Sequence, residues 1–380
     1  MKPKPNKSAL AFRPAILRMT PYAPGEQPRA GERLIKLNTN ENPYPPSPGV
    51  RRALAEMPAD VLRLYPSPRA DPLIAKAAEV YGIPSEMILA GNGSDELLAM
   101  LFRATLDKGD RAAWPLPTYS LYDTLAAERE AQVIAIPWRR GFRLPLDELA
   151  DAHARLTIVC NPNAPSGNLT PVPMLERLAR RIGERILVID EAYVDFADAN
   201  ALGLVRRHPN VVVLRTFSKS YSLAGMRLGL CFAHPEIIEN LLKVKDSYNL
   251  NRVAIAAGVR ALTDMAWMRR NVARVRRTRR RTEIELRRIG FEVPASQANF
   301  VMARISGRDL GPLAAGLRER GILVRHFATP ELRDSLRISI GKPDEMAALF
   351  KALRTLAAPL VSSKRDSMIN PSAGCEPGLR

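Results

Sequence analysis

The sequence predicts an α/β fold: a mainly parallel sheet wrapped by helices, followed by a smaller α+β unit. Three observations carry this expectation. Short apolar runs alternate with helical patterns from about residue 50. Those runs are apolar at consecutive positions, as in strands covered on both faces. Past about residue 258 the rhythm changes to one long helical pattern and then strands separated by helices.

Taken in order, residues 1–34 are rich in proline and lysine and read as an N-terminal arm, continued by the extended, proline-fixed "KLNTNENPYPPSP". The large domain is expected over 35–258, with strands in "AAW", "QVIAIP", "LTIVC", "ILVID", "VVVL" and "LGLCF" and helices in "ELLAMLFRAT" and "PMLERLARRI". The smaller domain spans 259–361. It opens on a helix through "MRRNVARVRRTRRRTEIELRRIG" (268–290), whose apolar stripe would be Val272, Val275, Ile284, Leu286 and Ile289, and continues with strands in "NFVMARI", "ILVRHF" and "LRISIG". Residues 362–380 lack periodicity and read as a disordered tail.

A net charge of +18 raises polyanions, nucleic acid among them, as partners. The charge concentrates on the 268–290 helix, but no helix-turn-helix, zinc knuckle or aromatic RNA-binding sheet accompanies it. A solvated helix face is the simpler reading, and nucleic-acid binding is the alternative from a different class. Cys160, Cys231 and Cys375 are too few and too scattered for a disulfide framework or a zinc site, so no metal is expected. There is no secretory apolar segment and no run long enough for a membrane span. A soluble, cytoplasmic protein is the expectation.

In open α/β sheets ligands sit at the carboxyl ends of the strands, which directs attention to the polar residues there. Asp190 ends "ILVID"; alone, its carboxylate could simply hold a loop amide. Lys219, in "RTFSKSYSLAGMRLG", follows an apolar strand between two serines, a setting that suits anion binding and a lowered amine pKa. Arg227 adds a permanent cation with a planar donor fork. In "AGNGSDELL" a glycine-rich turn enters a helix, and the amides of Ser94 and Asp95 would form an anion seat; a plain helix cap is the competing reading. An anion seat, a reactive amine, an arginine and a carboxylate for a protonated ring nitrogen together match what pyridoxal phosphate requires.

The ordered motifs "PYAPGEQP", "KLNTNENPYPPSP", "RLYPSP", "AGNGSDELL", "PLPTYSLY", "NPNAPSG", "VIDEAYVDF", "RTFSKSYSLAGMRLG" and "LRISIG" cover about residues 20 to 355. On them the chain resembles the fold-type-I, pyridoxal-phosphate-dependent class I/II aminotransferases, and within these the histidinol-phosphate aminotransferases. The resemblance implies a seven-stranded, mainly parallel sheet and a homodimer with shared active sites. It implies that Lys219 bonds the cofactor and shuttles the substrate α-proton, that Asp190 keeps the pyridine nitrogen protonated, and that Tyr193 bonds the cofactor's phenolic oxygen. Tyr119 would stack on the ring. Ser94, Asp95, Thr216, Ser218 and Arg227 would hold the phosphate, with Tyr65 lent by the neighbouring subunit. Arg337 would grip the substrate carboxylate, Arg325 a second anionic group, and Tyr22 would close over the substrate. Where the family shows an asparagine for the ring oxygen, this chain has Ala164, and Asn163 is the preferred substitute over Asn161. Histidinol phosphate and 2-oxoglutarate are the implied substrates. Aromatic amino-acid transamination and threonine-phosphate decarboxylation share the same motifs.

Overall fold

The structure is a computed structural model and describes residues 10–22, 24–29 and 31–369, the last nine through their backbone alone. The chain forms two compact units, one comprising 1–24, 41–276 and 296–299, the other 25–40, 277–295 and 300–380, so far as these are described.

The first unit is built on seven strands: β2 (Ile88–Gly91), β3 (Arg111–Leu116), β4 (Gln132–Pro137), β5 (Leu156–Cys160), β6 (Ile186–Asp190), β7 (Val211–Thr216) and β8 (Gly229–Phe232). Their order is β2-β8-β7-β6-β5-β3-β4. The run β7-β6-β5-β3-β4 is parallel, whereas β8 is antiparallel to both its neighbours. Every residue of β5 and β7 is buried, as expected of strands covered on both faces. The core gathers Leu97, Leu101 and Phe102 of the helix Gly93–Thr105 with Trp114, Tyr122, Ile158, Val188, Val212 and Leu214.

This arrangement places the carboxyl ends of β3, β5, β6 and β7 along one edge. Because β8 runs the other way, its first residue, Gly229, lies on that same edge, paired with Thr216 on one side and Gly91 on the other. Gly91 leads straight into the helix Gly93–Thr105. The strand β2 has no counterpart in the sequence expectations, being four residues pressed against the following helix pattern.

The second unit carries a four-stranded sheet in the order β1-β10-β11-β9: β1 (Ile35–Leu37), β10 (Ile322–His326), β11 (Ser335–Ser339) and β9 (Phe300–Arg304). Residues 25–40 thus belong here rather than divided between an arm and the large domain, because β1 pairs in parallel with β10. The expected boundary at 258 also moves. It lies inside the helix Arg252–Thr263, which packs on the helices Pro48–Ala55 and Asp71–Tyr81, so the first unit extends to Arg276.

The basic helix runs over Met265–Ile289. Val272, Val275 and Leu286 are buried as expected, but Ile284 is 49% exposed, and Thr278, Arg279 and Thr282 take buried positions. The last helix continues from Pro343 to Ile369, so 362–369, expected as tail, are helical in backbone; 370–380 lie outside the described residues. Among the described residues no helix is long and apolar enough to cross a membrane, and no acidic, histidine or cysteine cluster could hold a metal.

Candidate active site

Asp190 closes β6 at the sheet edge and is 2% exposed. Tyr122 donates its hydroxyl to Oδ2 at 2.7 Å, and the backbone N–H of Ala192 donates to Oδ1 at 3.2 Å. Burial pushes the carboxyl up to about 6, against an ordinary value of 3.8, while these two donors and the nearby Lys219 pull it down.

Lys219 lies in the loop after β7 and is partly buried, with Nζ 5.8 Å from the centre of the Tyr193 ring. The loop is fixed through its backbone. Asn42 donates to the carbonyls of Lys219 (3.1 Å) and Ser220 (3.2 Å), and Ser220 donates to Asp195. Below the loop, Arg215 of β7 donates to Glu191 at 2.9 and 3.0 Å; the two side chains are 10% and 0% exposed. This ion pair ties the ends of β6 and β7 together, next to Asp190 and the lysine loop.

The expected anion seat falls at the start of the helix Gly93–Thr105. Gly93 has φ +81°, and a Cβ there would come within 2.6 Å of the Arg227 guanidinium. A Cβ on Gly229 would lie 2.6 Å from the Gly93 carbonyl carbon and 2.7 Å from the Ser94 nitrogen. Two glycines therefore let bare backbone, a helix N-terminus and a guanidinium meet. Arg227 donates to Asp95 at 2.9 Å and to the Ser218 hydroxyl at 3.3 Å. The Asp95 carboxylate, which also accepts from Tyr119 at 3.3 Å, is thus tied into the site rather than turned away. Thr216 accepts from the Ser218 N–H at 3.1 Å and bonds the Ser218 hydroxyl and the Leu228 carbonyl, so it positions Ser218.

Tyr119 is partly buried, with Tyr22 against it edge-on at 6.2 Å. Asn163 is fully buried: it accepts from Thr118 at 2.8 Å and donates to the Pro117 carbonyl and the Ser166 hydroxyl. Its two N–H groups are thus committed, one to the loop after β3 and one within its own loop, and leave no donor for a cofactor oxygen. Asn161 donates one N–H to the Thr170 carbonyl at 3.2 Å and accepts from the Thr170 N–H at 2.7 Å.

Tyr65 is 78% exposed and stacks on Tyr248 at 4.5 Å. In the second unit, Arg325 and Arg337 are cross-strand partners in β10 and β11, and both guanidiniums face the Phe327 ring, at 5.4 and 5.7 Å. Arg337 also donates to the Asn38 carbonyl at 2.9 Å.

A family profile described as aminotransferase class I and II matches residues 32–353. The chain belongs to this family. Among curated aminotransferases, it is 42% identical over 345 residues to histidinol-phosphate aminotransferase 1 of Nostoc, covering 91% of this chain and 98% of that protein. It is 46% identical over 347 residues to the histidinol-phosphate aminotransferase of Citrifermentans bemidjiense, covering 91% and 99%. Among solved structures, it superposes with a TM-score of 0.85 and 26% identity on histidinol-phosphate aminotransferase from Sinorhizobium meliloti in complex with pyridoxal-5'-phosphate, covering 93% and 99%.

Within this aminotransferase the structure brings together Ser94, Asp95, Tyr119, Asp190, Tyr193, Thr216, Ser218, Lys219 and Arg227. Sequence reading missed Tyr122, Asn42 and the Arg215–Glu191 pair. Tyr122 carried one usable signal, its place one helical turn beyond Tyr119 in "PTYSLY". Asn42 carried none, since its partner lies 177 residues away.

Proposed function

We propose that the chain is a pyridoxal-phosphate-dependent aminotransferase that exchanges the amino group between histidinol phosphate and 2-oxoglutarate. The observation that carries the cofactor assignment is the shared sheet edge: a buried carboxylate, a lysine and an anion seat built from helix amides, Ser218 and Arg227. The names of relatives at 42% and 46% identity over nearly their whole lengths support the substrate.

The residues fit the group by the chemistry of their donors. The two glycines let the β8 backbone and the Arg227 guanidinium pack directly against the helix start, and a dianionic phosphate suits its amides, the Ser218 hydroxyl and that guanidinium. When bound, pyridoxal phosphate supplies an aldehyde and an electron-withdrawing ring. Asp190 would hold the proton of the ring nitrogen through its buried carboxylate. Tyr193 would donate to the phenolic oxygen; Ala164 has no donor there, and both N–H groups of Asn163 are committed elsewhere. Tyr119 covers the ring and Tyr22 the substrate. The Lys219 amine would take the proton from the substrate α-carbon and return a proton to the cofactor's aldehyde carbon. Arg337 and Arg325 bind the anionic groups of the two substrates, their paired forks suiting a carboxylate and a phosphate.

The exposed Tyr65, stacked on Tyr248 and accompanied by exposed Leu62 and Leu64, is read as the part contributed to a second copy's phosphate seat in a homodimer. A cytoplasmic location belongs to the same reading. The test is borohydride reduction of the pyridoxal-phosphate-loaded protein, followed by peptide mass mapping. A pyridoxyl adduct on Lys219 is expected, with none in Lys219→Ala, together with conversion of histidinol phosphate by the wild type. An adduct elsewhere or no adduct defeats the cofactor assignment; an adduct without histidinol-phosphate turnover defeats the substrate.

A further inference from the structure

Tyr122 lies on the helix Leu121–Arg129 and is completely buried. Its ring is held edge-on by Trp114 at 5.8 Å and Tyr119 at 5.6 Å, and its hydroxyl donates to Asp190 at 2.7 Å. At 0% and 2% exposure, neither partner has water to substitute for the other. We propose that Tyr122 is a positioning residue that keeps Asp190 ionised and aimed at the cofactor's ring nitrogen. This rests on the cofactor assignment above.

The choice of a phenol has a physical reason. A buried carboxylate needs donors to remain charged, yet a lysine or arginine in this place would form a full ion pair and weaken its hold on a ring N–H. A neutral hydroxyl satisfies one oxygen and leaves the negative charge for the pyridinium. The Ala192 amide does the same for the other oxygen. The remaining groups that face Asp190 are Cys160 from β5, Tyr119 from the loop after β3, Asp95 from the helix Gly93–Thr105, and Lys219. Burial pushes Cys160, Tyr119 and Tyr122 upward, so all three are neutral through the range in which Asp190 titrates.

The experiment is equilibrium titration of cofactor-free wild type and Tyr122→Phe with pyridoxal phosphate across pH, read by absorbance. Losing a hydrogen bond to a charged group predicts binding about 10- to 100-fold weaker near pH 6. Without its donor Asp190 titrates higher, so the deficit should narrow as pH rises toward about 8.5 and more of the carboxyl ionises. A deficit constant with pH, or none, overturns the proposal, because loss of packing alone does not track protonation. Should Tyr122→Phe fail to fold, Tyr122→His decides: its ring still donates an N–H, so affinity within about tenfold of wild type supports the proposal and a larger loss overturns it. The wild-type adduct at Lys219 is scored separately, so failure of the cofactor assignment is distinguishable from failure of the role given to Tyr122.

Discussion

Replacing Asp190 by asparagine should remove the loss of stability that the cofactor-free protein suffers as pH rises toward neutrality, while weakening cofactor binding. The magnitude follows from burial. The folded carboxyl titrates at about 6 against an ordinary 3.8. Between these values the folded state binds more protons than the unfolded state, so stability falls as pH rises, and the destabilisation is complete once pH exceeds the folded value. A gap of roughly 2.2 pH units corresponds to about 3 kcal/mol. Asparagine carries no titrating proton and escapes this loss, whatever its fixed hydrogen-bonding cost. The assay is urea denaturation of cofactor-free wild type and Asp190→Asn at a series of pH values. The difference between them should move in favour of the variant by about 2 kcal/mol from about pH 4.5 to about pH 8. Parallel profiles would refute the reasoning, since they would mean that Asp190 ionises at no cost when buried beside Tyr122.

Two further substitutions test the frame around the site. Gly229→Ala puts a methyl 2.6 and 2.7 Å from the backbone of Gly93 and Ser94, so pyridoxal-phosphate affinity should fall by at least about tenfold through displacement of the helix start; unchanged affinity in the same titration would show that the seat lies elsewhere. Glu191→Ala leaves the Arg215 charge buried and unpaired, which should destabilise the protein by about 3 to 5 kcal/mol in urea, while Glu191→Leu combined with Arg215→Met should recover most of that loss.

The central parallel strands were legible because burial on both faces writes each as a run of apolar residues, and "LTIVC" coincides with β5 residue for residue; "QVIAIP" coincides with β4 although that edge strand has a single buried residue, Ile136. The short strand β2 was not, since four residues leading into a helix show no period of their own. Lys219, Asp190 and Arg227 were visible because each follows or flanks a strand in a setting that a solvated residue does not need. The groups holding them were hidden. Tyr122 reads as one more core aromatic until its hydroxyl is seen on Asp190, and Asn42 acts on Lys219 across 177 residues. Asn163 shows the opposite failure. It had the right chemistry beside the right position, but its amide ties its own loop to the Pro117 carbonyl in the loop after β3.

The backbone clamp on the lysine loop has a consequence for turnover. A transaminase releases its lysine during every half-cycle, and an amine on a slack loop would then have to find its place again before it could move a proton. Here the carbonyls of Lys219 and Ser220 are pinned by Asn42, which bonds backbone and leaves the lysine side chain untouched. On the role proposed for Lys219, this clamp gives the base the same address on each visit and leaves only the four-carbon stem to swing.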